Sequence, residues 1–264
     1  MRPGISTWSL LGLDLETAIR TVGDVGIEYL ELWGEVPHAY HDWVDKKRLK
    51  DALSAYALTV TMHAPYTDLN LAVPFEPVRE AVARTLKDFV KFADELGAVR
   101  VTFHPGSVNS DALVRRSVED AVMLLRQLVK AADGSLVINV ENQAKDASPY
   151  HFPLGSDAES LGALIWNAEG VRCTLDAGHA HASGIDPLTL YRRFRDEVTE
   201  VHLSDNGGNS DDHLIPGQGT AKLQELLEWI SGTDIFVCLE LNPYKYQPEE
   251  VLRVADNLKH GNLF

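Results

Sequence analysis

A chain of 264 residues, 45% of them apolar, has side chains enough for one large core, and no apolar run approaches the roughly 20 residues of a membrane span. The formal net charge of −15 speaks against a broad nucleic-acid footprint, which needs a basic surface to release counterions. Asp14 and Glu16 stand in the first helical pattern where a signal peptide would be apolar, so a cytoplasmic location with no membrane partner is expected.

Read in chain order, short β-branched and apolar runs alternate with longer segments of helical period. A run at 4–10 precedes a helical stretch at 15–25, a run at 29–33 precedes 46–56, and a run at 58–63 precedes 77–96. In the third helix Leu86, Phe89, Val90 and Ala93 share one face at three- and four-residue spacing. The alternation continues with runs at 99–104, 136–141, 171–176, 200–203 and 235–241, each followed by a helix, at 111–131, 157–166, 187–196, 221–230 and 248–258. Gly26, Gly97, Gly134 and Gly170 lie between a helix and the next run, where helix C-termini favour glycine. Cys173 and Cys238 sit inside apolar runs and read as buried free thiols.

Eight strand–helix units with strands apolar along most of their length imply parallel strands covered by helices. An open doubly wound sheet would carry a glycine-rich phosphate loop after its first strand. That position reads Ser6-Thr7-Trp8-Ser9-Leu10, so the expectation is an α/β fold, a single-domain (β/α)8 TIM barrel spanning 1–264. The longest connections, 142–156 and 204–220, follow the fifth and seventh strands, on the face where a barrel keeps its chemistry.

The strand ends carry a pattern. Six successive strands end in His63, His104, Glu141, Asp176, His202 and Glu240, and His179, Asp211 and His213 follow in loops. A single strand-end histidine is commonly a hydrogen-bonded structural residue. Carboxylates and imidazoles converging without matching Lys or Arg are costly to bury, and a cation offsets that cost. Ligands without thiolate suit zinc, manganese, cobalt or iron, with magnesium restricted to the oxygen-rich Glu141, Asp176 and Glu240.

Taken together, His-Ala-Pro-Tyr, Phe-His-Pro-Gly, Val-Glu-Asn, Leu-Asp-Ala-Gly-His-Ala, His-Leu-Ser-Asp-Asn and Asp-Asp-His-Leu-Ile-Pro-Gly-Gln-Gly resemble the xylose isomerase-like TIM-barrel superfamily, from Gly4 to about Pro248. That superfamily includes sugar and sugar-phosphate isomerases and epimerases and the endonuclease IV family. The isomerase branch implies one divalent ion (manganese, cobalt or magnesium) on Glu141, Asp176, His202 and Glu240, with the two glutamates as catalytic residues moving a proton between adjacent carbons. The endonuclease IV branch implies up to three zinc ions on all nine residues. His63, His104 and Glu141 would hold the first ion, with Glu141 shared by a second on Asp176, His202 and Glu240; His179, Asp211 and His213 would hold the third.

Tyr66 matches a tyrosine that the nuclease branch sets against DNA, but the loop from Glu31 to His38 lacks that branch's Arg- and Gln-containing segment and looks like a sugar isomerase's. Asp212 beside Asp211 leaves the carboxylate ligand open. Trp8, Trp33, Tyr66 and Asn142 are candidate substrate-binding residues, the tryptophans equally candidates for rim core. Asn142 and Asp205 follow ligands and could orient imidazoles. His38 and His41 read as solvated loop residues, His181 as a substitute ligand at most, and Arg115-Arg116 as helix surface. The leading expectation is a metal-dependent isomerase or epimerase of a small sugar, sugar phosphate or related polyol. The alternative is an endonuclease IV-like zinc phosphodiesterase acting on abasic DNA, which makes nucleic acid the second-ranked partner. A noncatalytic metal-binding barrel ranks third, and association into a homo-oligomer stays open, no interface signal being legible.

Overall fold

Eight runs pair in parallel and close on themselves: β1 (Arg2–Ser6), β2 (Tyr29–Trp33), β3 (Thr59–His63), β4 (Arg100–Phe103), β5 (Val137–Glu141), β6 (Val171–Asp176), β7 (Val198–Leu203) and β8 (Phe236–Leu239), which returns to β1. The computed structural model describes residues 1–132, 134–145 and 147–262. The expected TIM barrel is what forms. Its outer ring holds α1 (Leu15–Asp24), α2 (Lys46–Ala55), α3 (Glu76–Leu96), α4 (Asp111–Ala131) and α5 (Ala158–Asn167). After β6 come the short α6 (Ala177–Ala182) and α7 (Pro187–Phe194), then α8 (Leu223–Ile230) and α9 (Pro248–Lys259).

Alternation along each strand separates two interiors. Leu30, Leu32, Val60, Met62, Val101, Phe103, Ile138, Val140, Leu175, Val201, Val237 and Leu239 join the helices' apolar faces in one continuous core. The intervening residues meet inside the barrel, where a small cluster of Tyr29, Phe236 and Cys238 lies with a polar layer. Thr102 bonds Thr174 at 2.7 Å across the intervening strand, Asn139 reaches Thr174 and Thr199, and the Tyr29 hydroxyl reaches the Glu200 carboxylate. Gly4 makes room for this layer, since a Cβ there would lie 2.0 Å from the Tyr29 ring.

Three local features depart from expectation. The first run is strand only to Ser6; Thr7–Leu10 is a 3-10 turn, capped by the Ser6 side chain and pinned where Leu241 N donates to Ser9 Oγ at 2.8 Å. α6 is unannounced by any period: Asp176 caps it, its carboxylate accepting the His179 amide at 2.5 Å. The long connection after β5 is partly ordered by a two-stranded antiparallel pairing of Ser107–Val108 with Phe152–Pro153. Among the described residues no helix is long and apolar enough to cross a membrane.

Candidate metal centre

The inward-facing stripes of β3 to β8 each lead to one of the expected ligands, at the strand end or just past it. Register sets Trp33 beside His63 and Asp176 beside His202, and β7 and β8 align Cys238 with His202, leaving Glu240 just past the end of β8. Glu141, fully buried at the end of β5, is the hub. Its Oε2 lies 3.3 Å from His63 Nε2 and 3.0 Å from His104 Nε2, and its Oε1 lies 3.0 Å from His202 Nδ1. The same His202 nitrogen is 3.4 Å from Glu240 Oε2. Buried Asp176 presents an Oδ2 with no hydrogen-bond partner among the described residues.

Donor atoms of Glu141, Asp176, His202 and Glu240 all lie within 4.8 Å of one another, as do those of His63, Glu141 and His202. The loops bring a further set together: Asp211 Oδ2 is 3.1 Å from His179 Nε2 and 2.8 Å from His213 Nε2. The neighbouring Asp212 turns to Lys245, so Asp211 is the carboxylate in this set. His213 has a left-handed backbone (φ 48°), an unfavoured conformation for a side chain with a Cβ, held at a site rather than in a free turn.

Hydrogen-bond direction tests whether these residues fit a cation. Nδ1 of His63, His179 and His213 lies 2.9, 2.8 and 2.9 Å from the carbonyl oxygens of Ala64, Asn142 and Glu240. A carbonyl only accepts, so each Nδ1 carries a proton, and each Nε2 then turns its lone pair towards a carboxylate. Lone pair facing carboxylate is stable only with a positive charge between them, either a second ring proton or a metal ion, and metal-bound histidines usually donate their other N–H in this way. The ionisation of the side chains reflects the same demand. Burial disfavours the charged forms, yet Glu141 raises His63 to about 9 and Asp211 raises His213 to about 9; His202 and His179 are also held well above the ordinary imidazole value by the carboxylates around them. His104, at the cavity edge, is pulled down to about 4 by desolvation and by the nearby His63 and His179. The residues present therefore fit divalent cations.

Above this rim lies a cavity of about 640 Å³, within the range of small-molecule sites. Trp8, Trp33 and Tyr66 line it, Tyr66 stacked on His104 with ring centroids 4.5 Å apart and Trp8 set edge-on to His213 at 4.7 Å. His63, His104, His179, Asp211, His213 and Glu240 face it, whereas Glu141, Asp176 and His202 form the layer below. Lys145 is the one Lys or Arg among the described residues of its wall.

Asn142 does not line the cavity and is not where a substrate-binding residue was expected. Its side chain is taken up by the Asp176 backbone, Nδ2 donating to Asp176 O at 2.9 Å and Oδ1 accepting Asp176 N at 2.8 Å. His38 is not solvated: it is fully buried, with Nε2 3.1 Å from the Leu13 carbonyl, and His41 is half-buried. His181 bonds Thr220 Oγ1 at 2.8 Å, away from the ligand sets. Arg115 and Arg116 lie along the α4 surface, pairing with Glu119 and Asp120 one turn on. Asp205 orients no imidazole; it ties the loop that carries Asp211 and His213, accepting amides from Asn206, Gly217, Gly219 and Ala221. Glu31, an isomerase-like strand-two end in the sequence, carries no expected role there. Fully buried on β2, it places Oε2 3.1 Å from His202 Nε2, and its even spacing with Tyr29 and Trp33 was the available sign that it faces inward.

The family model for the xylose isomerase-like TIM barrel matches residues 19–260. A probable endonuclease 4 from Aquifex aeolicus is 25% identical over 225 residues, covering 76% of this chain and 77% of its own. Fructoselysine 3-epimerase from Shigella flexneri is 21% identical over 97% of this chain and 95% of its own. Among solved structures, a D-tagatose 3-epimerase-like protein shares the fold with a TM-score of 0.86 at 24% identity, covering 98% of this chain and 96% of that one. By the extent of the family match and by its closed eight-stranded barrel, the chain belongs to the xylose isomerase-like TIM barrel family.

Proposed function

We propose that this chain is a divalent-metal-dependent isomerase or epimerase of a small sugar, sugar phosphate or related polyol. The observation that carries the reading is the convergence of Glu141, Asp176, His202 and Glu240 within 4.8 Å, with Glu240 facing a cavity of small-molecule size. The similarity to fructoselysine 3-epimerase and to the D-tagatose 3-epimerase-like protein supports the same class. Those four residues would hold the ion, which when bound polarises the substrate's oxygens and stabilises negative charge developing on them. Burial pushes the ion-free Glu240 carboxyl up to about 7, and a bound cation would hold it as the carboxylate, the form that can take a proton from a carbon beside a carbonyl. Burial also acts on Glu141, but His202 and His104 hold it well below the usual carboxylate range, so it stays a carboxylate that a cation can bind. Glu141 is the deeper member, screened from the cavity by imidazoles. Trp8 and Trp33 offer an apolar wall to a sugar face, and Tyr66 a hydroxyl beside it.

A second reading, a zinc phosphodiesterase of the endonuclease IV type, is favoured by the His63–His104–Glu141 and His179–Asp211–His213 groupings and by the Aquifex relative. A cavity wall with a single Lys and a net charge of −15 weigh against a DNA backbone there. One experiment separates the two. The unchelated protein, its metal content measured, is incubated in deuterated water with a panel of ketoses and their phosphates, and separately with a duplex bearing an abasic site. The proposal expects deuterium at a carbon next to the carbonyl of at least one ketose, lost in Glu240→Gln. Incision of the duplex with no exchange into any panel member would overturn it.

A further inference from the structure

Two carboxylates that the reaction does not use are buried inside the barrel beneath the ligand rim. Glu31 and Glu200 are both fully buried, and both approach the same atom, His202 Nε2, at 3.1 and 3.9 Å. They are not equivalent. Glu200 Oε1 already accepts the Tyr29 hydroxyl and, at 3.2 Å, the Thr61 hydroxyl. Glu31 Oε2 is within hydrogen-bond reach of the imidazole, while its Oε1 has only the weak Cys238 thiol at 3.7 Å. A further buried carboxylate next to Glu141 and Glu240 is costly unless it performs a task there.

We infer that Glu31 is a positioning residue for the metal centre, acting through His202. An imidazole that binds a cation through one nitrogen has one proton to place, on the other. Donating Nε2–H to Glu31 fixes that tautomer and leaves the Nδ1 lone pair directed at Glu141 Oε1 and Glu240 Oε2, 3.0 and 3.4 Å away. The ring is thereby held between β2 on one side and the ligand set on the other, and the carboxylate makes Nδ1 a stronger donor to a cation. His202 is thus the mirror image of His63, His179 and His213, which donate Nδ1–H to backbone carbonyls and present Nε2. A carboxylate in place of a carbonyl singles out the ligand belonging to the Glu141, Asp176 and Glu240 set. Glu31 does not line the cavity.

This inference rests on His202 being a ligand, and its test reads metal binding rather than turnover. Metal-stripped protein is titrated with zinc against a chromophoric chelator for the wild type, Glu31→Leu, Glu31→Gln and His202→Ala, with folding checked by circular dichroism. The binding phase that His202→Ala removes identifies the site. In that phase Glu31→Leu is expected to weaken affinity by about 10–100-fold, the range for loss of such a partner, and Glu31→Gln by less, because its amide oxygen still accepts. If the leucine variant does not fold, the isosteric glutamine variant carries the test. In the zinc-loaded protein the His202 Nε2–H proton resonance should lie far downfield in the wild type and move upfield in Glu31→Gln, a change that a merely structural role would not produce. Wild-type affinity and an unmoved resonance in the Glu31 variants would overturn the inference. A His202→Ala protein that binds zinc like the wild type would instead remove the ligand reading beneath it. Absence of sugar turnover would leave the binding result intact, so the two failures are distinguishable.

Discussion

Asp205 gathers the limb that returns from Asp211 and His213, alongside the backbone pairing of Asp205 with Leu214 and the Asn242 amide on the His213 carbonyl, and replacing Asp205 by Asn should loosen that loop. Asp205 Oδ1 accepts the amides of Asn206 and Ala221 at 2.8 and 3.0 Å, and Oδ2 accepts those of Gly217 and Gly219 at 2.9 and 3.0 Å. The wrap is tight: a Cβ at Gly219 would lie 2.3 Å from both Asn206 O and Asp205 Oδ1. Asparagine keeps one oxygen and turns an NH2 group towards the other two amides. Two hydrogen bonds to a charged acceptor are lost, at about 1.5–3 kcal/mol each, so local closure of the loop weakens by roughly 3–6 kcal/mol. The ligand set on the strand ends is held by the sheet itself and should survive. Hydrogen exchange should show loss of protection at Gly217, Gly219 and Ala221, while β7 stays protected, and elemental analysis at a pH high enough for the loop set to bind an ion should show fewer ions per chain with binding at Glu141, Asp176, His202 and Glu240 retained. An Asp205→Asn protein with unchanged protection and unchanged metal content would refute the reasoning.

Three further outcomes follow from the same contacts. Against the effect of burial, Glu141 and Asp211 raise His63 and His213 to about 9, so both rings are protonated at neutral pH and a metal must displace those protons; adding zinc to stripped protein in weak buffer at neutral pH should release protons, and affinity should fall as pH falls. Burial lowers His38 below its ordinary 6.5, so just below that pH the unfolded chain binds a proton that the fold does not; stability should decline as pH drops from 6.5, and urea titrations of His38→Gln should show a flatter acid limb. Ala at Gly4 would set its Cβ 2.0 Å from the Tyr29 ring and 2.6 Å from the Tyr29 carbonyl oxygen, overpacking the barrel at a cost of about 1–3 kcal/mol or more in a denaturant titration.

The barrel and the rim were both legible because one periodicity encodes them. Along β3, β4, β5, β6 and β7 the inward positions run Thr61–His63, Thr102–His104, Asn139–Glu141, Thr174–Asp176 and Glu200–His202, so each candidate ligand stands two residues beyond a polar barrel-interior residue. Reading the runs as apolar along most of their length captures the core of Leu32, Met62, Phe103 and Val140 but not this polar lining. Partners distant in sequence were not legible: Glu31 meets His202 across 171 residues, and no spacing announces that. The substrate-binding expectation for Asn142 and the solvated one for His38 fail for a related reason, although the Asn142 carbonyl does orient the His179 imidazole. Whether a polar side chain faces a ligand, a backbone group or water depends on which segment covers it, and here the covering groups are the Asp176 backbone and the Leu13 carbonyl. The turn at Thr7–Leu10 follows from a side-chain cap competing with strand pairing, which an apolar pattern does not reveal.

Charge explains how one arrangement of residues can suit both one-ion and multi-ion chemistry. The nine converging residues include four carboxylates, Glu141, Asp176, Glu240 and Asp211, with Glu31 beneath them. A single divalent ion on the strand-end set leaves Asp211 to be balanced separately, and His179 and His213, at 3.1 and 2.8 Å, can do so as protonated rings. Raising the pH removes those protons and exposes lone pairs already aimed at Asp211, which converts the ion pair into a cation site. Ion content per chain should therefore rise with pH, and the added ions should be those lost in His213→Ala but kept in Glu240→Gln. A sugar isomerase working through the strand-end set would be indifferent to that second occupancy, whereas a phosphodiesterase would gain activity in step with it. Metal content and activity measured together across pH thus separate the two chemistries at the level of the protonation state of Asp211's two partners.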